Sequence, residues 1–145
     1  MESFSIIDMS GDIGIAISGA SLPAVFAKAG LALYQLTTDL GAVREHFFRE
    51  VHVEAETCDA LLVRFLNELI YLFEAESLVG RSIEVDTLHC ESEGRGPASV
   101  HARVGGEEFS PERHGQRLLL KAATYHKLRL ERVEGQWHAE VIFDI

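Results

Sequence analysis

The apolar residues of the chain follow two different periods, and these periods predict its strands and helices. Alternating or β-branched runs predict strands at residues 4–8, 13–17, 48–56, 83–88 and 98–104. Residues 118–130 are also largely of β type, and the run W-H-A-E-V-I-F-D-I at residues 137–145 predicts a terminal strand. Glycines, a proline and charged residues at positions 105–115 predict a loop.

Two segments have apolar residues at helical spacing. The first extends from an N-cap at Ser21 to about Asp39. Gly30 inside this helix indicates a close backbone approach by the sheet, because glycine otherwise weakens a helix interior. The second helix follows an N-cap at Thr57 and presents a broad apolar stripe over residues 62–73, as expected of a helix pressed onto a sheet.

The order of these elements predicts the fold class. Helices separate the strands in the first half of the chain, whereas strands follow one another in the second half. This pattern is typical of an α+β fold, with two helices packed on a mainly antiparallel β-sheet. A chain of 145 residues is long enough to bury a core and is predicted to form a single domain over residues 1–145.

The composition narrows the range of partners and locations. The formal net charge of -10 disfavours tight, direct binding of nucleic acid, which depends on basic side chains, but suits a basic or metal-loaded protein partner. The sequence contains neither a secretory signal pattern nor an uncharged apolar run of membrane-spanning length, so we expect a cytoplasmic protein without membrane contact. Cys58 and Cys90 lie far apart without C-x-x-C spacing, which predicts neither a zinc knuckle nor a disulfide framework.

The candidate chemistry lies in carboxylates at the two ends of the chain. No phosphate-binding glycine motif and no hydrolase nucleophile motif is present, and the seven histidines contain no H-E-x-x-H or H-x-H cluster. Asp8 and Asp12 flank the first turn, and Asp144 precedes Ile145 at the other end. If the first hairpin and the terminal strand share a sheet, these oxygens could converge with the main-chain carboxylate of Ile145. Such a set would select calcium, magnesium or manganese. The alternative is that Asp144 only caps an exposed strand end.

Lys121 interrupts an otherwise apolar stretch, L-L-L-K-A-A, and allows two interpretations. It is either an outward-facing lysine whose stem covers apolar surface, or a cation held near the carboxylates or offered to an anionic ligand.

Four motifs along the chain resemble those of the archease family. Residues 8–14, D-M-S-G-D-I-G, are similar to the family pattern D-H-T-A-D-I-G, and residues 61–73 resemble its L-L-x-x-F-L-x-E-x-x-Y-x-F helix. Residues 121–126, K-A-A-T-Y-H, resemble K-A-x-T-Y-H, and residues 141–145 resemble the ending V-x-F-D-I. The four motifs occur in order and cover nearly the whole chain, so the resemblance is specific.

The resemblance implies a metal-binding activator that is not itself an enzyme. Asp12, Asp144 and Ile145 would bind a divalent metal, usually assigned as calcium in the family, while Asp8 and Lys121 would face the partner. The implied partner is the RNA-splicing ligase of tRNA splicing and RNA repair, which the activator helps to load with guanylate for repeated turnover. Met9 and Gly11 depart from the family's histidine and alanine, so no role of that histidine is carried over.

Two alternatives come from other functional classes. A small metal-dependent hydrolase or phosphatase could use the same carboxylates, with Lys121 or His126 as the only hints of a base. A chaperone-like binding module would need no metal.

Overall fold

The computed structural model describes residues 4–9, 11–91 and 96–145, and at residues 8 and 9 it describes only the main chain. The described residues form seven strands, three α-helices and a short 3-10 helix at Leu40–Ala42. In chain order the elements are β1 (Ser5–Met9), β2 (Asp12–Gly19), α1 (Leu22–Thr37), β3 (Phe47–Ala55), α2 (Cys58–Glu76), β4 (Leu78–Cys90), β5 (Ala98–Glu108), α3 (Pro111–His114), β6 (Ala122–Val133) and β7 (Gln136–Asp144).

The strands are divided between two antiparallel sheets. Sheet A has the order β1-β2-β7-β6, and sheet B has the order β3-β5-β4. Both long helices pack against strands of both sheets, and the apolar core lies where they meet. The predicted α+β class is therefore confirmed, although the predicted single sheet is two sheets and a third, short helix is added.

Both predicted N-caps are confirmed by hydrogen bonds. The hydroxyl of Ser21 accepts from the N–H of Ala24 at 3.3 Å, and the hydroxyl of Thr57 accepts from the N–H of Ala60 at 3.3 Å. These bonds satisfy N–H groups that have no partner within the helix. The tight approach to Gly30 comes from a side chain, not from sheet backbone: a Cβ there would lie 2.2 Å from Cδ1 of Ile83 in β4.

The loop predicted at residues 105–115 is wrong in its first part, because β5 continues to Glu108. Gly105 and Gly106 usually indicate a turn, but here they allow strands to pack closely. A Cβ on Gly106 would lie only 2.0 Å from the carbonyl oxygen of Val79 in β4. Glycine is required at this position for packing rather than for a turn.

The cysteine prediction is also wrong. Cys58, the first residue of α2, is bonded to Cys90, the last residue of β4, with a Cα–Cα distance of 5.6 Å. The two cysteines are 32 residues apart in the sequence, and only the fold brings the end of β4 beside the start of α2. Their spacing in the sequence therefore does not predict the bond. Within the turn predicted around residues 93–97, residues 93–95 lie outside the described residues.

The strand predicted over residues 118–130 begins later, at Ala122. The preceding segment is held against α1, where the N–H of Leu118 donates to the Leu36 carbonyl at 3.0 Å. Across the described ranges, no helix combines the length and the apolar character needed to cross a membrane.

Candidate functional site

The two ends of the sequence meet at one end of sheet A. In the pairing of β1, β2, β7 and β6, Met9 is opposite Asp12, Asp12 is opposite Asp144, and Asp144 is opposite Ala122. One row across the four strands therefore contains both predicted aspartates. We call this end of sheet A, with Asp12, Asp144, Ile145 and Lys121, the sheet tip.

Asp12 and Asp144 point away from the core. Their chain neighbours Ile13 and Phe143 form the next row, and Phe143 is fully buried. Because side chains alternate between the faces of a strand, the two aspartates share the outer face. Asp12 is half-buried and Asp144 is exposed. Directly opposed residues of antiparallel strands have Cβ atoms roughly 4.5–5.5 Å apart, so the two carboxylates are close neighbours.

Lys121 and Ile145 complete the sheet tip. The N–H of Lys121 donates to the Asp144 carbonyl at 2.9 Å, which fixes the main chain of Lys121 beside β7. The Lys121 side chain is exposed, and Ile145 is 42% exposed. Within the described ranges, the side chains of Asp12, Asp144 and Lys121 have no ion pair.

Asp8 is placed differently from Asp12. Its main chain pairs with Ile13, and Met9 occupies the position opposite Asp12. The side chain of Asp8 lies outside the described residues, so its predicted partner-facing role stays a prediction. Gly11 in the intervening turn has φ of 79°, a value that favours glycine.

A residue that the sequence analysis missed supports the sheet tip from α2. The side-chain oxygen of Asn67 accepts from the Ala123 N–H at 2.7 Å, and its amide nitrogen donates to the Ala123 carbonyl at 3.1 Å. Thr124 then donates its hydroxyl to the Ile142 carbonyl at 2.9 Å. The polar Asn67 within the apolar stripe of residues 62–73 was the available signal.

Beyond Thr124 the register of β6 against β7 shifts until Arg129, and residues 125–128 form a bulge. Tyr125 and His126 in this bulge are exposed, and Lys127 has φ of 52°. His126 is thus part of an exposed bulge rather than of the row that contains Asp12 and Asp144.

The donor set of the sheet tip fits a hard cation in its chemistry. It offers two carboxylates and the main-chain oxygens of Ile145, and oxygen donors of this kind suit calcium, magnesium or manganese. Among the side chains that the structure describes, no three His, Cys, Asp or Glu residues are grouped so as to hold a metal ion. A site here would therefore need main-chain oxygen or water in addition to the two aspartates.

A second residue that the sequence analysis missed, the carboxylate Glu107, has a structural role. It is 3% exposed and accepts from both terminal nitrogens of Arg113 at 2.9 Å, from Nε2 of the buried His114 at 2.7 Å and from the N–H of Arg44 at 2.8 Å. The Arg113 hydrogen bonds are the largest of the causes that lower the pKa of Glu107 to about 2. Because its bonds are internal, Glu107 anchors α3 and the chain before β3 rather than a ligand.

Comparison of sequences places the chain near one family. The sequence profile of the archease protein family matches residues 4–145. The protein archease of Methanosarcina acetivorans is 33% identical over 144 residues, covering 99% of this chain and 97% of that protein. The protein archease of Pyrococcus abyssi is 33% identical over 146 residues, and this match covers 100% of both chains.

Solved structures agree with the sequence comparison. The solution structure of a Methanobacterium thermoautotrophicum protein has a TM-score of 0.77 and 26% identity, and the match covers 100% of both chains. A Thermotoga maritima crystal structure, described as an archease and possible chaperone, has a TM-score of 0.58 over 96% of this chain and 94% of that one. At 20% identity, the second match shows the fold alone.

Proposed function

This chain belongs to the archease family, and from that premise we propose that it is a protein activator of an RNA-splicing ligase. On this proposal it is not an enzyme itself: it promotes loading of the ligase with guanylate, so that the ligase can turn over repeatedly in tRNA splicing or RNA repair. The ligase and the residues that would act on it come from the family resemblance, and the strand register supports the proposal because it brings Asp12, Asp144 and Lys121 together.

The observation that carries the proposal is the row that places Asp12 opposite Asp144, with Lys121 bonded through its main chain to the same residue. Two neighbouring carboxylates without a cationic partner repel each other, which is sustained only where a cation or water lies between them. An exposed strand end with this charge arrangement suits a partner site that contains metal ions and nucleotide phosphates. The carboxylates would approach metal ions of that site, and the Lys121 ammonium would approach phosphate oxygen.

Asp12, Asp144 and the main-chain oxygens of Ile145 are the groups that would hold a divalent metal, and calcium is the ion that the family resemblance implies. A bound cation would supply positive charge that offsets the repulsion between the two carboxylates. The chain itself contributes the strand register, which fixes the separation of the two aspartates. Asn67 of α2 holds β6 in place through its two hydrogen bonds to the main chain of Ala123.

The direct test is multiple-turnover ligation by the cognate ligase, with and without this protein. We expect the wild-type protein to raise the number of turnovers and to increase transfer of labelled guanylate from GTP to the ligase. Asp12→Asn and Asp144→Asn are each expected to abolish most of this stimulation. Glu134→Gln, in the turn between β6 and β7 at the opposite end of sheet A, is the matched control and should stimulate like wild type.

Full stimulation by both aspartate variants would refute a role for the sheet tip. Phosphatase turnover by the purified protein alone, abolished by a chelator, would instead favour the metal-dependent hydrolase. Suppression of client aggregation without any metal dependence would favour a chaperone-like module.

A further inference from the structure

β3 is an edge strand of sheet B. In the described chain it pairs only with β5, in continuous register from Phe47 opposite Gly106 to Ala55 opposite Ala98. An antiparallel edge strand directs the N–H and C=O groups of alternate residues away from its sheet. Neither a proline nor a bulge, two devices that commonly block such edges, occurs in β3. Beyond the start of the strand, where Arg49 donates to the Glu50 carbonyl, its polar main chain is therefore open to pairing with another strand.

A groove runs along this edge between β3 and α2. Its larger part has a volume of about 700 Å³ and is lined by residues 52–54 of β3 and by Arg64, Glu68 and Tyr71 among the residues of α2. A second part of about 580 Å³ shares Glu54 and Arg64 with the first and extends to Tyr125 in the bulge of β6. The two parts together form one channel along the edge of β3.

The two ends of the groove have different neighbours. Arg49 donates to the Glu50 carbonyl at 3.3 Å and pairs with Glu76 at the end of α2, so the start of the β3 edge is already engaged. Asn67 occupies the main-chain groups of Ala123, two residues beyond Lys121. β6 is therefore not available for pairing with another strand at Ala123. Because Asn67 also lines the groove, the groove lies close to the sheet tip.

The charge of the groove indicates the chemistry of its occupant. Three carboxylates, Glu54, Glu56 and Glu68, line it against the single guanidinium of Arg64 among the described lining residues. This surplus of negative charge favours lysine and arginine side chains. Tyr71 and Tyr125, each 58% exposed, offer ring faces that attract the same side chains. A second copy of this chain, with a net charge of -10, is a poor match for such a groove.

We propose that this groove binds an extended, basic peptide segment of a partner protein, which adds to sheet B as a strand on the free edge of β3. Main-chain hydrogen bonds to β3 provide the affinity, and the carboxylates of Glu54, Glu56 and Glu68 select basic side chains. The site is separate from Asp12 and Asp144 and does not depend on the function proposed for them.

The test uses the full-length protein and a fluorescein-labelled peptide of alternating lysine and valine, followed by fluorescence anisotropy. We expect saturable binding that Glu54→Lys combined with Glu68→Lys weakens by about tenfold or more. Glu112→Lys combined with Glu134→Lys, which makes the same change of net charge elsewhere, should leave binding unchanged. A peptide with methylated nitrogens at alternate residues keeps its charge but loses its N–H donors, and it should also bind at least about tenfold more weakly.

Equal binding of the methylated peptide would overturn strand addition, and equal binding by the Glu54→Lys, Glu68→Lys protein would overturn the assigned groove. Self-association through β3 in sedimentation experiments, without peptide binding, would also contradict the proposal. Asp12→Asn and Asp144→Asn should bind the peptide like wild type. The peptide result is thus independent of whether the sheet tip activates a ligase.

Discussion

The carboxylate of Glu107 and those of Asp12 and Asp144 have different environments. Glu107 is buried and accepts hydrogen bonds from Arg113, His114 and the Arg44 main chain. Asp12 and Asp144 lie side by side at a strand end, and no described ion pair involves either of them. A carboxylate whose bonds are all internal stabilises the fold, whereas neighbouring carboxylates without such partners are suited to bind a ligand.

We predict that Glu107→Gln lowers the free energy of unfolding at pH 7 by about 2–4 kcal/mol, because the buried His114 and the guanidinium of Arg113 lose their anionic partner. The folded-state pKa of Glu107, about 2, is below its ordinary value of roughly 4.3. The stabilisation is therefore fully present above the ordinary pKa and is lost as the pH falls through about 2. Urea unfolding of both proteins at neutral and acidic pH measures the difference.

The control for this prediction is Glu112→Gln, an exposed carboxylate in the same short helix. It should have little effect at either pH. A destabilisation by Glu107→Gln that is equally large at the acidic limit would contradict the ionic account and indicate a packing defect.

The sequence predicts the individual elements well where local signals decide them. Helical spacing and a capping hydroxyl identify α1 and α2, and the hydrogen bonds of Ser21 and Thr57 confirm both caps. Local signals fail where a distant strand decides the structure. Gly106 stands in a glycine-rich stretch that is typical of a loop, but it lies in β5. Glycine is needed there because Val79 of β4 leaves no space for a side chain.

The bond between Cys58 and Cys90 is a second tertiary feature that local pattern did not predict, and it joins α2 to β4. We predict that Cys58→Ala combined with Cys90→Ala lowers the free energy of unfolding by about 3–4 kcal/mol under oxidising conditions, since an open chain gains entropy when unfolded. With dithiothreitol present, wild type and the double variant should unfold at nearly the same urea concentration. Equal stability without reductant would show that the bond does not form in solution.

The fold brings residues near the two ends of the chain together, and these residues form the sheet tip. The sequence identified Asp12 and Asp144 as a pair that would converge if their strands shared a sheet, and the register of β2 with β7 gives that arrangement. The sequence marks Asn67 as a polar residue within the apolar stripe of α2, but it does not indicate that β6 is the strand beside it, so the support of β6 could not be predicted. Binding of a cation and of a ligase stay predictions.

The function proposed for the sheet tip requires Asp12 and Asp144 to bind a divalent cation, and calorimetric titration of calcium into the purified protein measures this binding. We expect saturable binding by wild type and by Glu134→Gln, and affinity reduced by about tenfold or more in Asp12→Asn and in Asp144→Asn, since each removes one anionic ligand. Calcium binding that is equally tight in all four proteins, or absent from wild type, would refute a metal site at the sheet tip.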